Sequence, residues 1–196
     1  ADLAVGTSLR DRWAFDGLFL KDYVLGAPPS RTNPLGQPWG YPVWDPAGFE
    51  GAVRAVLVAR LEKLFREHDG VRIDHPHGWV CPWVYDARDQ DPQAAVQRGA
   101  RLFESPDLPD HPALGALARV APEQVDRGRP RYADDWVREL SDRQIERYAL
   151  WFDLFVGLAR QQGGGTEDLL VEVLSTCPRP LAAGPPPPGL GPFSPA

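Results

Sequence analysis

No methionine occurs anywhere in the 196 residues, not even at the first position. That absence suits a chain that begins inside a longer reading frame, and an excerpt of a larger protein is the expectation. Cysteine is nearly absent too: Cys81 and Cys177 lie far apart, so neither a disulfide framework nor a cysteine-rich zinc site is indicated. Two reduced thiols are expected, which fits a cytoplasmic protein. No stretch approaches the roughly 18 consecutive apolar residues of a membrane span, and no basic region followed by an apolar run opens the chain, so neither a span nor a signal peptide is expected. An excess of positive charge is also missing. The formal net charge is -6, whereas phosphate-backbone binding rests on clustered Lys and Arg, so nucleic acid is not an expected partner.

What is present is an ordinary globular balance, 43% hydrophobic and 24% charged residues. The length is that of one domain or a little more, short of the roughly 250 residues of an eight-stranded α/β barrel. Residues 1–25 read as a strand end near Val5 followed by an irregular loop, with no helix. The segment "GAPPSRTNPLGQPWGYPVWDP" (26–46) holds so much Pro and Gly that neither helix nor ladder strand is expected to persist, leaving a long stiffened loop. From Phe49 to Phe65 the apolar residues Phe49, Val53, Val56, Leu57, Leu61, Leu64 and Phe65 recur at helical spacing opposite charged ones. "DGVRID" then supplies a turn and a short β-branched run, which completes an α/β unit. Residues 86–135 read as an insertion of short helices and turns. At "SDRQIERYALWFDLFVGLARQQGGG" helix signals return: Ser141 and Gln144 fit a capping box, Ile145, Tyr148, Phe152, Phe155 and Ala159 make an apolar face, and Gly163 ends it. "DLLVEVLS" (168–175) follows as a strand, so helix then strand occurs twice, with Asp74 near the end of one strand and Glu172 in the other. The last sixteen residues, "LAAGPPPPGLGPFSPA", form no packed element on composition.

The stretch "DGVRIDHPHGWVCPWVYD" (69–86) supports three readings. In the first, Asp74, His75 and His77, with His68 nearby, form a metal site of a hydrolase, since alternate residues of an extended chain face one side. In the second, Arg72 and Asp74 are a structural ion pair while Trp79, Trp83 and Tyr85 fill a core. In the third, the site takes a sugar. The period of two puts Arg72 beside Asp74, where it holds Asp74 ionised as a nucleophile. Glu172 ends a second strand and serves as the partner acid if its pocket raises its pKa. Trp39, Tyr41 and Trp44 offer flat rings on a proline-stiffened support.

These residues resemble the 4-alpha-glucanotransferases, or amylomaltases, of glycoside hydrolase family 77. "VRIDH" (71–75) is similar to the family's nucleophile motif, "GAPPSRTNPLGQPWGYPVWDP" to its active-site loop, and "VEVLST" (171–176) to the strand carrying its acid/base glutamate. The resemblance covers roughly residues 3–181. It implies an α/β fold that is part of a (β/α)8 TIM barrel, its middle strands and helices carrying an inserted helical and loop region. Residues 1–181 would be a portion of the catalytic barrel and 182–196 a Pro/Gly-rich tail. It implies that Asp74 is the nucleophile, Glu172 the general acid and then base, Arg72 the residue that orients Asp74, and His75 a hydrogen-bond donor to the sugar. Gln37 and Trp39 would belong to the covering loop, with Tyr41 also meeting substrate and Pro28 and Pro29 stiffening the loop. The implied substrates are maltooligosaccharides and alpha-1,4-glucans, with no cofactor and no metal.

Two departures accompany the likeness. The family's third carboxylate, an Asp following a His at the end of a later strand, is expected to lie beyond this chain, and "VGTS" (5–8) stands where better-known members carry an acidic residue. An open arc of barrel leaves unpaired strand edges, so the chain by itself is expected to be poorly stable and inactive. The alternative within the binding class is an inactive glucan-binding remnant that uses Trp39 and Tyr41.

Overall fold

In the computed structural model, which describes residues 1–172 and 177–183, the chain opens with β1 (Asp2–Leu3), α1 (Leu9–Ala14), β2 (Phe19–Ala27) and β3 (Gln37–Trp44). It continues with α2 (Ala52–Glu67), β4 (Val71–Ile73), α3 (His77–Val80), β5 (Trp83–Asp86), α4 (Pro92–Gln97) and β6 (Ala100–Arg101). Short 3-10 turns then lead to α5 (Asp142–Gln161), β7 (Leu169–Val171) and α6 (Arg179–Ala183). β1, β4 and β7 make a three-stranded parallel sheet in that order, and β3, β2, β5 and β6 make an antiparallel one. The α/β class expected from sequence is thereby present.

The parallel sheet is narrow and its alternation is strict. Leu3, Val71, Ile73 and Leu169 are buried on one face and join the same apolar core as Val53, Leu57 and Leu61 of α2 and Tyr148, Phe152 and Phe155 of α5. In register, Asp2 stands opposite Arg72 and Leu170 on the other side of Arg72. Because side chains alternate, Asp2, Arg72, Asp74, Leu170 and Glu172 all belong to the second face. Leu170 is 64% exposed there. Among the described residues, that face has no layer packed over it at Leu170.

The two long helices follow their sequence signals. α2 begins three residues inside the expected start and buries Val53, Leu57 and Leu61 at a spacing of four. α5 is capped by the expected box: the Gln144 amide N–H donates to Ser141 Oγ, and the Gln144 side chain accepts from the Ser141 N–H. Gly163, at φ +85°, stops it in a conformation that favours glycine. Trp79, Trp83 and Tyr85 are buried, as the packing reading expects. The insertion between β5 and α5 is indeed short helices and turns, with β6 added to the second sheet.

Three expectations are corrected. Residues 1–25 contain a helix, α1, whose start is set by Ser8 accepting from the Asp11 N–H at 3.1 Å. They also contain most of β2, a nine-residue strand that the polar pair Lys21 and Asp22 disguises. The proline-rich segment is not a continuous loop: residues 37–44 are β3, paired antiparallel to β2. β3 sits at the edge of its sheet, where Pro38 and Pro42 need not donate on the open side, and Gly40 at φ +72° accommodates the irregular register. The loop proper shrinks to residues 28–36. Finally Leu181, which composition assigns to the tail, is buried in α6. The end of the expected strand at 173–175 and the tail at 184–196 lie outside the described residues. No described helix is long and apolar enough to cross a membrane.

Candidate active site

Parallel pairing places the two carboxylates expected from sequence side by side. The Asp74 N–H donates to the Leu3 carbonyl at 3.1 Å, and the Glu172 N–H donates to the Ile73 carbonyl at 3.1 Å. Each thus sits one residue past its strand, in one row at the C-terminal edge of the sheet. Arg72, two residues back on the same face, reaches both: Nη2 is 3.2 Å from Asp74 Oδ1 and 2.6 Å from Glu172 Oε1. Nη1 donates to both carboxylate oxygens of Asp2, at 3.0 and 2.8 Å. No motif in the sequence marks Asp2 for the site. The signal that would have found it is its place at the head of a parallel strand in register with Arg72.

The proton balance of this pair differs from the expectation. Burial, and then the hydrogen bond shared with Glu172, push the Asp74 carboxyl above its usual value. Burial also pushes Glu172 upward, but the hydrogen bonds from Arg72 and Asp74, with the Arg72 charge, outweigh it and hold Glu172 below its usual value. In the free site the shared proton therefore favours Asp74. Two causes act together: the burial of Asp74, and a guanidinium that stands closer to Glu172 than to Asp74.

His75 has φ +43° and is the one non-glycine residue in the left-handed region among the described residues. Pro76 follows it, restricting the preceding backbone and starting the α3 turn. The His75 ring lies 4.9 Å from that of Trp39 and 5.4 Å from that of His77. Trp39 in turn donates its indole N–H to Gln37 Oε1 at 3.1 Å. Tyr41 stands 6.4 Å from Trp39, over Gly6, where a Cβ would come within 2.6 Å of the Tyr41 ring. Pro28 and Pro29 are buried at the base of the loop. Thus β3 brings Gln37, Trp39 and Tyr41 to the row of Asp74, while the prolines support the loop from below.

The metal set weighed from sequence does not assemble. His77 begins a helix rather than continuing the strand, so alternation fails at Pro76. It is 7% exposed, and burial, with smaller contributions from the nearby His75 and Arg101 charges, holds its pKa down to about 3, leaving it neutral. His68 is exposed at the end of α2, where it shares a hydrogen bond with the Leu64 carbonyl, on the far side of β4 from Asp74. Asp69 after it makes the only His-Asp pair of the sequence, and it too belongs to that far end. What does come together is Asp74, His75 and Glu172, with one ligand atom of each within 4.8 Å of the others.

Comparison with known proteins bears on the part of the site that lies within residues 1–153. A 4-alpha-glucanotransferase of Mycobacterium tuberculosis (strain ATCC 25618 / H37Rv) is 35% identical over 85 residues, which are 42% of this chain and 12% of that protein. One of Streptococcus pneumoniae serotype 4 is 33% identical over 83 residues, 39% of this chain and 16% of that protein. The rice 4-alpha-glucanotransferase DPE2 is 26% identical over 123 residues, 62% of this chain and 11% of that protein. The chain therefore spans a small part of the curated relatives it matches. The model of glycoside hydrolase family 77, described as 4-alpha-glucanotransferase, matches residues 1–153. With residues 26–46 and 71–75 inside that span, the chain belongs to glycoside hydrolase family 77, the 4-alpha-glucanotransferases.

Proposed function

We propose that this chain carries the nucleophile and the acid/base of a retaining 4-alpha-glucanotransferase that moves alpha-1,4-glucan segments between maltooligosaccharides. The observation that carries the reading is the single row in which Asp74 and Glu172 stand, on adjacent parallel strands and bridged by Arg72. Active sites of α/β barrels are built at that edge of the strands. The three parallel strands are then an arc of a (β/α)8 barrel spanning residues 1–181, with the face of Leu170 turned toward its axis.

Asp74 attacks the anomeric carbon while Glu172 gives its proton to the departing glycosidic oxygen, so the bond to that oxygen breaks as a glucosyl ester forms. The 4-hydroxyl of a second glucan, deprotonated by Glu172, then displaces Asp74 with configuration retained. Retaining enzymes hold the two carboxyls about 5 to 5.5 Å apart; here an oxygen of each lies within 4.8 Å of the other. A glucosyl unit seated between them parts the pair, shields Glu172 from water and leaves Arg72 to favour an ionised Asp74. His75 donates to the sugar, Trp39 and Tyr41 present ring faces to it, Gln37 orients Trp39, and Pro28 and Pro29 keep the loop stiff. Transfer rather than hydrolysis follows when the acceptor is held in place against water.

The test is incubation of the full-length polypeptide with maltotriose and separation of the products. Glucose together with longer maltooligosaccharides is expected, and undiminished transfer in Asp74→Asn would remove the proposal.

A further inference from the structure

Three carboxylates face one guanidinium, since Asp2, Asp74 and Glu172 each pair with Arg72. Even with one proton on the Asp74–Glu172 pair a negative charge is left over, and a neutral sugar does nothing to offset it. Beside this group His75 brings a ring nitrogen, and the ligand atoms of Asp74, His75 and Glu172 lie within 4.8 Å of one another. Two imidazole nitrogens next to it are sealed from solvent and have no hydrogen-bond partner among the described residues: Nδ1 of His75 and Nε2 of His77. His77 is itself 7% exposed, and its ring lies 5.4 Å from that of His75. A charge excess and partnerless imidazoles at one spot are two separate observations that point to a cation.

We propose that Asp74, His75 and Glu172 form an inhibitory binding site for a divalent transition-metal ion, with Zn²⁺ as the type. Two carboxylates and an imidazole suit such an ion, which tolerates low coordination and mixed oxygen and nitrogen ligands. Mg²⁺ does not fit, because it demands oxygen ligands in near-octahedral order. Zinc holds its ligands at about 2 Å, which draws the three atoms to about 3.3 Å from one another; here they all lie within 4.8 Å of one another. Arg72 is the competitor, since its Nη2 occupies the gap between the two carboxylates. The ion displaces that contact, ties up the nucleophile and the acid together, and leaves Arg72 to Asp2. Binding of the ion stands on the geometry of the site alone, and its inhibitory effect rests on the proposed transfer reaction.

The test is calorimetric titration of the chelator-treated chain with Zn²⁺, together with the visible absorption of the Co²⁺ form. One equivalent is expected to bind, without the charge-transfer bands that a thiolate ligand would give. His75→Asn, which keeps a residue tolerant of positive φ, and Glu172→Gln each weaken binding by about tenfold or more. His68→Asn changes nothing. Arg72→Met, which removes the resident cation, tightens binding, a direction that an adventitious surface site would not show. Absence of one-to-one binding, insensitivity to Glu172→Gln, thiolate bands, or weaker binding in Arg72→Met overturns the proposal. Should His75→Asn fail to fold, as circular dichroism would reveal, the Glu172→Gln and Arg72→Met pair decides alone. Any such failure leaves the transferase reading untouched, because that reading uses no ion.

Discussion

Arg72 stands closer to Glu172 than to its own strand neighbour Asp74, 2.6 Å against 3.2 Å. The residue expected to orient Asp74 therefore also pairs with Glu172 and holds its carboxyl below its usual value. Replacing Arg72 by Met leaves three carboxylates without their cation. Steady-state transfer from maltotriose by the full-length protein is expected to fall by about a hundredfold, as for misplacement of a catalytic group. Its pH profile should shift to higher pH, since Glu172 loses the interaction that lowers it. An unchanged profile would show that Arg72 does not control the pair.

The second prediction concerns a buried pair outside the site. Glu104 and Arg101 are both 1% exposed, with Arg101 Nε 3.4 Å from Glu104 Oε2. Burial pushes the Glu104 carboxyl up to about 7 despite the Arg101 charge. An acid whose folded pKa is raised stabilises the fold fully below its unfolded pKa, and that stability is lost as pH rises through the folded value. Thermal unfolding of this chain should thus show a fall in Tm from about pH 4.5 to above pH 7. Glu104→Gln should flatten that fall; equal slopes for the two proteins would remove Glu104 as its cause.

His75 supplies a third. At φ +43° its backbone suits Gly or Asn and opposes a β-branched residue. His75→Val should cost about 1–2 kcal/mol more stability than His75→Gly, the penalty of left-handed backbone for a branched side chain. Urea unfolding of the two variants measures the difference.

Gly6 supplies the fourth. A Cβ on Gly6 meets the Tyr41 ring at 2.6 Å, so Gly6→Ala must push Tyr41 off the β1 extension. Maltoheptaose titration followed by tryptophan fluorescence should then show weaker binding than the parent, with Trp39 as reporter. A saturable change of equal midpoint would mean that Tyr41 takes no part in holding glucan.

The sequence by itself determined the pieces whose rules are local. The apolar spacing of α2, the Ser141–Gln144 cap of α5, and the Val71–Ile73 run before Asp74 are each written in a few neighbouring residues. The residues named for the site could be named from motifs for the same reason. Tertiary structure alone decided the rest. Pro38 and Pro42 are compatible with a strand only because β3 lies at a sheet edge, and edge position depends on which strands come to pair with β2. Asp2 joined the site through a parallel register between segments remote in sequence. Asp74 is pushed up and Glu172 held down because Asp74 is buried and a guanidinium lies a few tenths of an ångström nearer Glu172, and electrostatic energy follows distance and burial, which the order of residues does not specify.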